Sequence, residues 1–233
     1  MNYFSTVTLP TGVDVSLLDC FIYATCDPGG GTSAANATAK TDKTGLTVGA
    51  VTLNSEFIIL DWDEQWLEIE ALAAALIKIH RRWRPRLIGV ERMMYLQQFL
   101  FAEMRRRGVP LNLSVLQHKG RSKAERIKAM LPFLRKTYFL DTIADKAQSS
   151  MMRWHETMKH GDDGIDSLAY FYDVAIPPTL NDLTTHRQER KRFAREELYE
   201  TLDPRTRAEA QTIRRYYEND RPTSEFTDAF TDS

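Results

Sequence analysis

The 233-residue sequence predicts an α/β fold: a mixed five-stranded sheet with helices on both faces, followed by peripheral helices at the C-terminal end. Three observations lead there. Three runs rich in β-branched and aromatic residues (21–26, 45–53 and 56–61) come early in the chain. The link between the last two is only two residues, Asn54-Ser55, which implies an antiparallel section. Further on, strand-like runs at 87–91 and 111–117 alternate with helical patterns, which implies a parallel section.

The elements follow in order. Residues 1–20 read as a loosely structured N-terminal lead. FIYATC at 21–26 is an apolar run closed by Asp27-Pro28, as in a buried strand. Residues 27–44, rich in Gly, Ala, Thr and Ser, read as a long loop. GLTVGAVTL (45–53) and EFIILD (56–61) form a hairpin. A long helix with an Ala-rich centre runs from Asp63 to Trp83 and is stopped by Pro85. LIGVE (87–91) is the fourth strand, 93–107 a helix ended by Gly108-Val109-Pro110, and 111–117 the fifth strand. Ser122 with Glu125 three residues on makes a capping box for a helix over 122–135. Tyr138–Leu140 reads as a short extended piece. Asp162 is an N-cap for a helix over 162–175, which Pro177-Pro178 ends. The α/β domain therefore spans 21–176. Residues 177–233 form a charged extension with helices near 184–200 and 204–218, then a disordered tail. Trp62, Trp66, Trp83, Met93 and Met94 read as core or core rim.

Composition narrows the class. Hydrophobic content of 42% and charged content of 27% fit a soluble domain. No apolar run approaches the roughly 18 residues of a membrane span, and no secretory pattern opens the chain. Cys20 and Cys26 are too few for a disulfide framework and too far apart for a CxxC metal knuckle, so reduced thiols in a cytosolic compartment are expected. The net charge of −1 conceals a segregation. From Lys78 to Lys136 there are 16 Lys and Arg against three acids (Glu91, Glu103, Glu125), leaving 15 basic and 29 acidic residues elsewhere. A basic stretch in an otherwise acidic chain is what a polyanion surface requires.

Three acidic signals carry the chemistry. Asp27 follows the first strand, Glu91 closes the fourth, and Asp162-Asp163-Gly164-Ile165-Asp166 opens a helix. The carboxyl ends of strands in open α/β sheets are where ligands bind. Carboxylates that converge there repel one another unless a cation neutralises them. Two divalent ions about 3.5–4 Å apart activate a water and stabilise a leaving oxygen in phosphodiester hydrolysis. An all-oxygen ligand set suits Mg²⁺ or Mn²⁺. Asp163 and Asp166, three apart, share a helix face, so either or both could complete the second ion's shell, with Asp162 as N-cap. Lys119, Arg121, Lys123 and Arg126 are weaker candidates for gripping a DNA backbone. Arg105, Arg106 and Arg107 read as a solvated helix end. His118 and His160 flank the site and could protonate a leaving group.

The element order matches the ribonuclease H-like plan, and the motifs resemble one family in particular. CDPGGGTS (26–33) with TDKTGLTVGAV (41–51), LIGVER (87–92), SKAERIKAMLPFLRK (122–136) with YFLD (138–141), and HGDDGIDSLAYFYD (160–173) resemble the nuclease domain of the large terminase subunit of tailed bacteriophages. The resemblance covers about residues 21–175. It implies a Mg²⁺- or Mn²⁺-dependent endonuclease that cuts concatemeric viral DNA during genome packaging. Asp27 would bridge two ions, with Glu91, Asp163 and Asp166 as further ligands. It further implies double-stranded DNA as substrate, and a terminase ATPase domain or subunit, the small terminase subunit and the portal as partners. The place of action would be the host cytoplasm, at the procapsid, with no membrane. No G-x-x-x-x-G-K-[ST] is present, so ATP-driven translocation is not expected of these residues, and the nuclease is either a separate subunit or part of something longer. Three other readings share some features. One is a non-catalytic DNA-binding or docking module. Another is a different ribonuclease H-like nuclease such as a junction resolvase. The third is an ATP-binding relative of actin and the sugar kinases, against which the long 32–44 loop and the lack of a second Gly-rich loop count.

Overall fold

The computed structural model describes residues 1–29, 36–37, 41–92, 96–117, 120–158, 161–182, 184–185, 187–189, 192 and 206. Its strands are β1 Thr6–Thr8, β2 Asp14–Ser16, β3 Phe21–Asp27, β4 Thr44–Val51, β5 Phe57–Gln65, β6 Leu87–Glu91, β7 Leu113–Leu116 and β8 Thr137–Phe139. Its helices are α1 Ile69–Trp83, α2 Leu96–Arg107, α3 Lys123–Leu134, α4 Asp141–Arg153 and α5 Asp163–Val174. β1 and β2 pair as a hairpin, and the other strands form one sheet in the order β7-β6-β3-β4-β5-β8. β4 is antiparallel to both neighbours, while β3–β6, β6–β7 and β5–β8 are parallel. This is the ribonuclease H-like sheet with one strand more than the predicted five. Thr137–Phe139 adds itself to β5 alongside Phe57–Ile59.

The period-2 alternation of the strands sorts side chains into two layers. Ile22, Ala24 and Cys26 of β3 and Ile88 and Val90 of β6 face a core made with Leu72, Leu76 and Trp83 of α1 and Leu96 and Leu100 of α2. Phe21 and Tyr23 face the opposite core, with Ile127 of α3, Ile143 of α4, and Leu168 and Phe171 of α5. By the same alternation Asp27 and Glu91, odd-numbered like Phe21, Tyr23 and Leu87, project towards the α3–α5 layer. Both cysteines are buried.

A β-bulge adjusts this pattern once. Val48 pairs with Asp61 but Gly49 pairs with Ile59, so Leu60 is the extra residue on β5. Downstream of it the faces exchange, and Trp62 and Glu64 turn towards α5. There the Trp62 indole donates to the Gly164 carbonyl at 2.9 Å, and a Glu64 carboxylate oxygen accepts from the Gly164 amide at 2.9 Å. The backbones approach closely at this point: a Cβ on Gly45 would lie 2.0 Å from the Asp163 carbonyl oxygen, and one on Gly164 would lie 2.4 Å from the Trp62 ring. The first turn of α5 is thus seated directly on β4 and β5.

Several expectations are corrected. Residues 1–20 are not a loose lead: Tyr3, Val7, Leu9 and Leu17 are buried in the α1-side core. β5 continues to Gln65, so the helix expected from Asp63 starts at Ile69; paired to β4 throughout, Asp63–Gln65 obey the sheet rather than their helical propensity. β7 is Leu113–Leu116, shorter than 111–117. α4, with Ile143, Ala147 and Ser150 buried along one stripe, was not foreseen. The capping box at Ser122 and Glu125 is present as expected. Asp162 sits at the N-cap of α5, but its side chain makes no cap hydrogen bond. Trp62 and Trp83 are buried as expected, and Met93 and Met94 lie outside the described residues. The chain divides into two units, Met1–His186 and Arg187–Ser233. Of the second, residues 187–189, 192 and 206 are described, all with helical backbone; the helices expected near 184–200 and 204–218 otherwise lie outside the described residues. No described helix is long and apolar enough to cross a membrane.

Gly45→Ala forces its methyl against the backbone of α5, which has no flexible side-chain end to yield. The variant is expected to lose about 1–3 kcal/mol or more in thermal or urea denaturation. A loss below roughly 0.5 kcal/mol would show that α5 is not seated on Gly45.

Candidate metal centre

Parallel pairing puts the carboxyl ends of β3 and β6 side by side, with Cys26 opposite Val90. Asp27 and Glu91 therefore emerge together, one residue past that pair. The seated first turn of α5 adds Asp166 from above. Ligand oxygens of Asp27, Glu91 and Asp166 all lie within 4.8 Å of one another, the one group of its kind among the described residues. Asp27 is 7% exposed and Asp166 1%. They border a cleft of about 490 Å³ that Pro28, Gly29, Asp42, Arg121, Ser122, Lys123, Arg126 and Asp163 also line.

Asp163 is brought to the same cleft but not into that triad. One of its oxygens accepts from the Lys43 amide at 2.9 Å and the other takes the Lys123 ammonium at 3.0 Å. Asp162 also takes Lys123, at 3.0 Å, so the residue expected to cap α5 spends its carboxylate on a cation instead. Lys123 lies 3.5 Å from Asp27 and 3.9 Å from Asp166 as well. Arg126 forks onto Asp166, with Nε at 3.0 Å and Nη2 at 2.5 Å, and its guanidinium stacks 4.5 Å from the Tyr170 ring centre.

Two of the residues expected at a DNA backbone are held among these acids. Arg126, 4% exposed, braces Asp166 rather than reaching outwards, and Lys123 is turned into the acidic cluster. Arg121 lines the cleft and pairs with Asp173. Lys119, His118 and His160 lie outside the described residues. The topology also divides the basic segment. Arg92 and Arg121 follow the carboxyl ends of β6 and β7. Arg84, Arg86, Arg105, Arg106, Arg107, Arg135 and Lys136 precede parallel strands and so sit at the opposite edge. There Arg105, Arg106 and Arg107 are exposed, as expected of a solvated helix end, and Arg106 and Arg107 also pair with Glu103.

Two participants escaped the sequence reading. Glu64 gave no signal, because only the bulge turns it to α5. Asp42 gave none within its Gly- and Thr-rich loop. Lys123 did carry one: a cation in the first turn of a helix opposes the macrodipole, so a partner is to be expected nearby.

The electrostatics indicate a cation deficit. Among the described residues, the acids Asp27, Asp42, Glu91, Asp163 and Asp166 line the cleft with the cations Arg121, Lys123 and Arg126. Burial, followed by contact with Glu91 and its charge, pushes the Asp27 carboxyl well above the usual range, although Lys123 pulls it down. Burial likewise raises Asp166 against Arg126, and Asp163 against Lys123. For Lys123, burial alone would lower the pKa, but Asp27, Asp163, Asp162 and Asp166 together raise it. An all-oxygen, anionic and partly buried set with unmet charge fits a hard divalent cation such as Mg²⁺ or Mn²⁺. Asp27, Glu91 and Asp166 are the residues that would hold it.

A sign follows for pH. A carboxyl whose folded pKa is raised stabilises the fold, relative to an ionised one, below its unfolded value. That contribution is lost as pH rises through the folded value. Without metal, Asp27→Asn is expected to melt at a higher temperature than wild type, by a margin that grows from pH 4 to pH 8. Added Mn²⁺ should narrow the margin by stabilising wild type. A margin that shrinks with pH in EDTA would contradict the assignment.

No family model matches the chain, and neither does any curated protein. Solved structures do. The chain is similar to the yeast mitochondrial Holliday junction resolvase Ydc2, at 15% identity over 75% of this chain and 83% of that one, with a TM-score of 0.41. It is similar to the large terminase nuclease from thermophilic phage G20c, at 15% identity over 68% and 84%, with a TM-score of 0.42. It is also similar to T. thermophilus RuvC in complex with a Holliday junction substrate, at 16% identity over 66% and 95%, with a TM-score of 0.32.

Proposed function

We propose that the chain is a divalent-metal-dependent DNA endonuclease and, more finely, the nuclease of a phage large terminase that cuts concatemeric DNA during packaging. The observation that carries the first statement is the approach of Asp27, Glu91 and Asp166 within 4.8 Å at the carboxyl edge of the sheet, in an open cleft. The second rests on the sequence motifs, above all HGDDGIDSLAYFYD at 160–173 and CDPGGGTS at 26–33. A DNA substrate, an ATPase partner, the small subunit and the portal belong to the same proposal, as does action in the host cytoplasm.

A divalent ion held by the triad would supply Lewis acidity to the scissile phosphate and acidify an attacking water. The chain's own residues do the rest. Arg126 fixes both oxygens of Asp166, so that carboxylate is preorganised. Burial of Asp27 and Asp166 limits competing hydration and strengthens their charge interactions. Arg121, at the cleft wall, is placed to meet a phosphate if it exchanges Asp173 for it. Such contacts to the backbone position DNA without reading its sequence. Of the two acids expected to complete a second ion's shell, Asp163 is engaged by Lys123 and Asp166 by Arg126.

The test is nicking and linearisation of supercoiled plasmid by the purified chain in Mg²⁺ or Mn²⁺. Cutting is expected to cease with EDTA and to fall by about a hundredfold or more in Asp27→Asn or Asp166→Asn. DNA retardation without cutting, in any metal and with the terminase ATPase supplied, would leave only a binding module. Plasmid and linear duplex are expected to compete as well as a four-way junction does. Strong preference for the junction would replace the terminase reading with a resolvase.

A further inference from the structure

Most of the basic segment gathers away from the cleft, and the cleft is poorly equipped to grip DNA by itself. Five acids line it with three cations. Of those cations, Arg121 pairs with Asp173, Lys123 with Asp162 and Asp163, and Arg126 with Asp166. Such a surface attracts a divalent ion but repels a phosphate backbone, so affinity for DNA has to come from elsewhere on the molecule.

The amino edge of β6 and β7 supplies the charge. α1 closes with Arg81, Arg82 and Trp83, and the chain passes through Arg84 and Arg86 into β6. α2 closes with Arg105, Arg106 and Arg107 and leads into β7. The two strands are parallel neighbours, and the Asn112 side chain donates to the Arg86 carbonyl at 2.5 Å, so both arginine runs meet at one end of the sheet. All of these arginines but Arg84 are exposed. Arg82 donates to the Met1 carbonyl at 2.8 Å and lies 3.6 Å from Asp61, while Arg106 and Arg107 pair with Glu103. Among the described residues, no salt bridge joins Arg81, Arg86 or Arg105 to an acid. His80, in the last turn of α1, registers the field: burial first, then the charges of Arg84 and Arg81, lower its pKa to about 4.

We propose that this arginine edge is a second site for the phosphate backbone of duplex DNA. It lies across the sheet from the metal centre, about 20 Å away by the length of the seven-residue β3. The choice of DNA rests on the nuclease reading above; the site itself goes beyond it. The side chains are arginines throughout, and their planar forks match phosphate oxygens. An acidic protein is the other polyanion they could meet, but a nuclease with an acidic cleft needs a backbone contact of its own. Such contacts hold duplex without reading its sequence.

The test is the salt dependence of binding rather than turnover. Affinity of the full chain for a fluorescein-labelled duplex is measured by anisotropy in EDTA, from about 50 to about 200 mM KCl. In Arg81→Gln/Arg86→Gln/Arg105→Gln the slope of log affinity against log salt is expected to flatten by about 2 to 3, with affinity down tenfold or more at about 100 mM salt. The matching triple Lys variant keeps the charges and is expected to hold the slope. Lys128→Gln/Arg135→Gln/Arg153→Gln removes the same charge from α3 and α4 and is expected to change the slope little. Circular dichroism verifies folding, and Arg81→Gln and Arg105→Gln singly, each expected to flatten the slope by about 1, serve where the triple folds poorly. Unchanged binding in the edge variants would overturn the proposal and leave an acidic protein as the partner. An equal loss in the α3–α4 variant would overturn it too, by showing general electrostatics. Wild type that shows the edge-dependent slope but never cuts plasmid in Mn²⁺ would sink the nuclease reading and leave the arginine edge standing.

Discussion

The seating of α5 on the sheet is the constraint from which the site follows. Gly45 and Gly164 let the two backbones meet, and Trp62 and Glu64 hold the Gly164 peptide by its carbonyl and its amide. Deeper along the helix, Thr25 donates to the Ser167 carbonyl at 2.6 Å, and the Thr47 and Ser167 hydroxyls meet at 2.7 Å. These contacts fix both the height and the rotation of α5. They bring a buried first turn, with two aspartates in it and a third at its N-cap, over the ends of β3 and β6. Burying that much negative charge is costly unless it is compensated. Arg126 and Lys123 compensate part of it from α3, and a bound cation would compensate more.

The division of labour among the acids follows from that seating. Asp166 lies one helical turn beyond Asp162 and Asp163, close enough to Asp27 and Glu91 to share a cation with them. Asp162 and Asp163 lie at the rim, where α3 offers an ammonium. Five carboxylates that look equivalent as letters therefore divide into Asp27, Glu91 and Asp166, whose oxygens converge, and Asp162 and Asp163, which Lys123 engages most closely. The neutral overall charge of the chain hides the same kind of separation. Arginines before β6, β7 and β8 lie at the far edge of the sheet, and few of the basic residues face the cleft.

Much of this architecture was legible in the residues. The apolar run closed by Asp27-Pro28 marked β3, LIGVE marked β6, and Ser122 with Glu125 marked the start of α3. Asp27, Glu91 and Asp166 were identifiable because strand ends and a helix start are chemically marked positions. The rest was hidden for physical reasons. The bulge at Leu60 depends on pairing with β4, so neither the extension of β5 through Asp63–Gln65 nor the inward turn of Glu64 leaves a local trace. β8 is only three residues long and is a strand because Phe57–Ile59 is there to pair with it. α4 buries a thin stripe that periodicity alone does not distinguish from a loop. Asp162 has the identity and position of an N-cap, but a lysine 39 residues earlier in the chain competes for its carboxylate and wins.

The central claim is that α5 completes a cation site with β3 and β6. Anomalous diffraction at the manganese edge, from crystals of the chain soaked in Mn²⁺, tests it most directly. The account predicts a peak in the cleft within ligand distance of Asp27, Glu91 and Asp166. No peak near these three residues would contradict it.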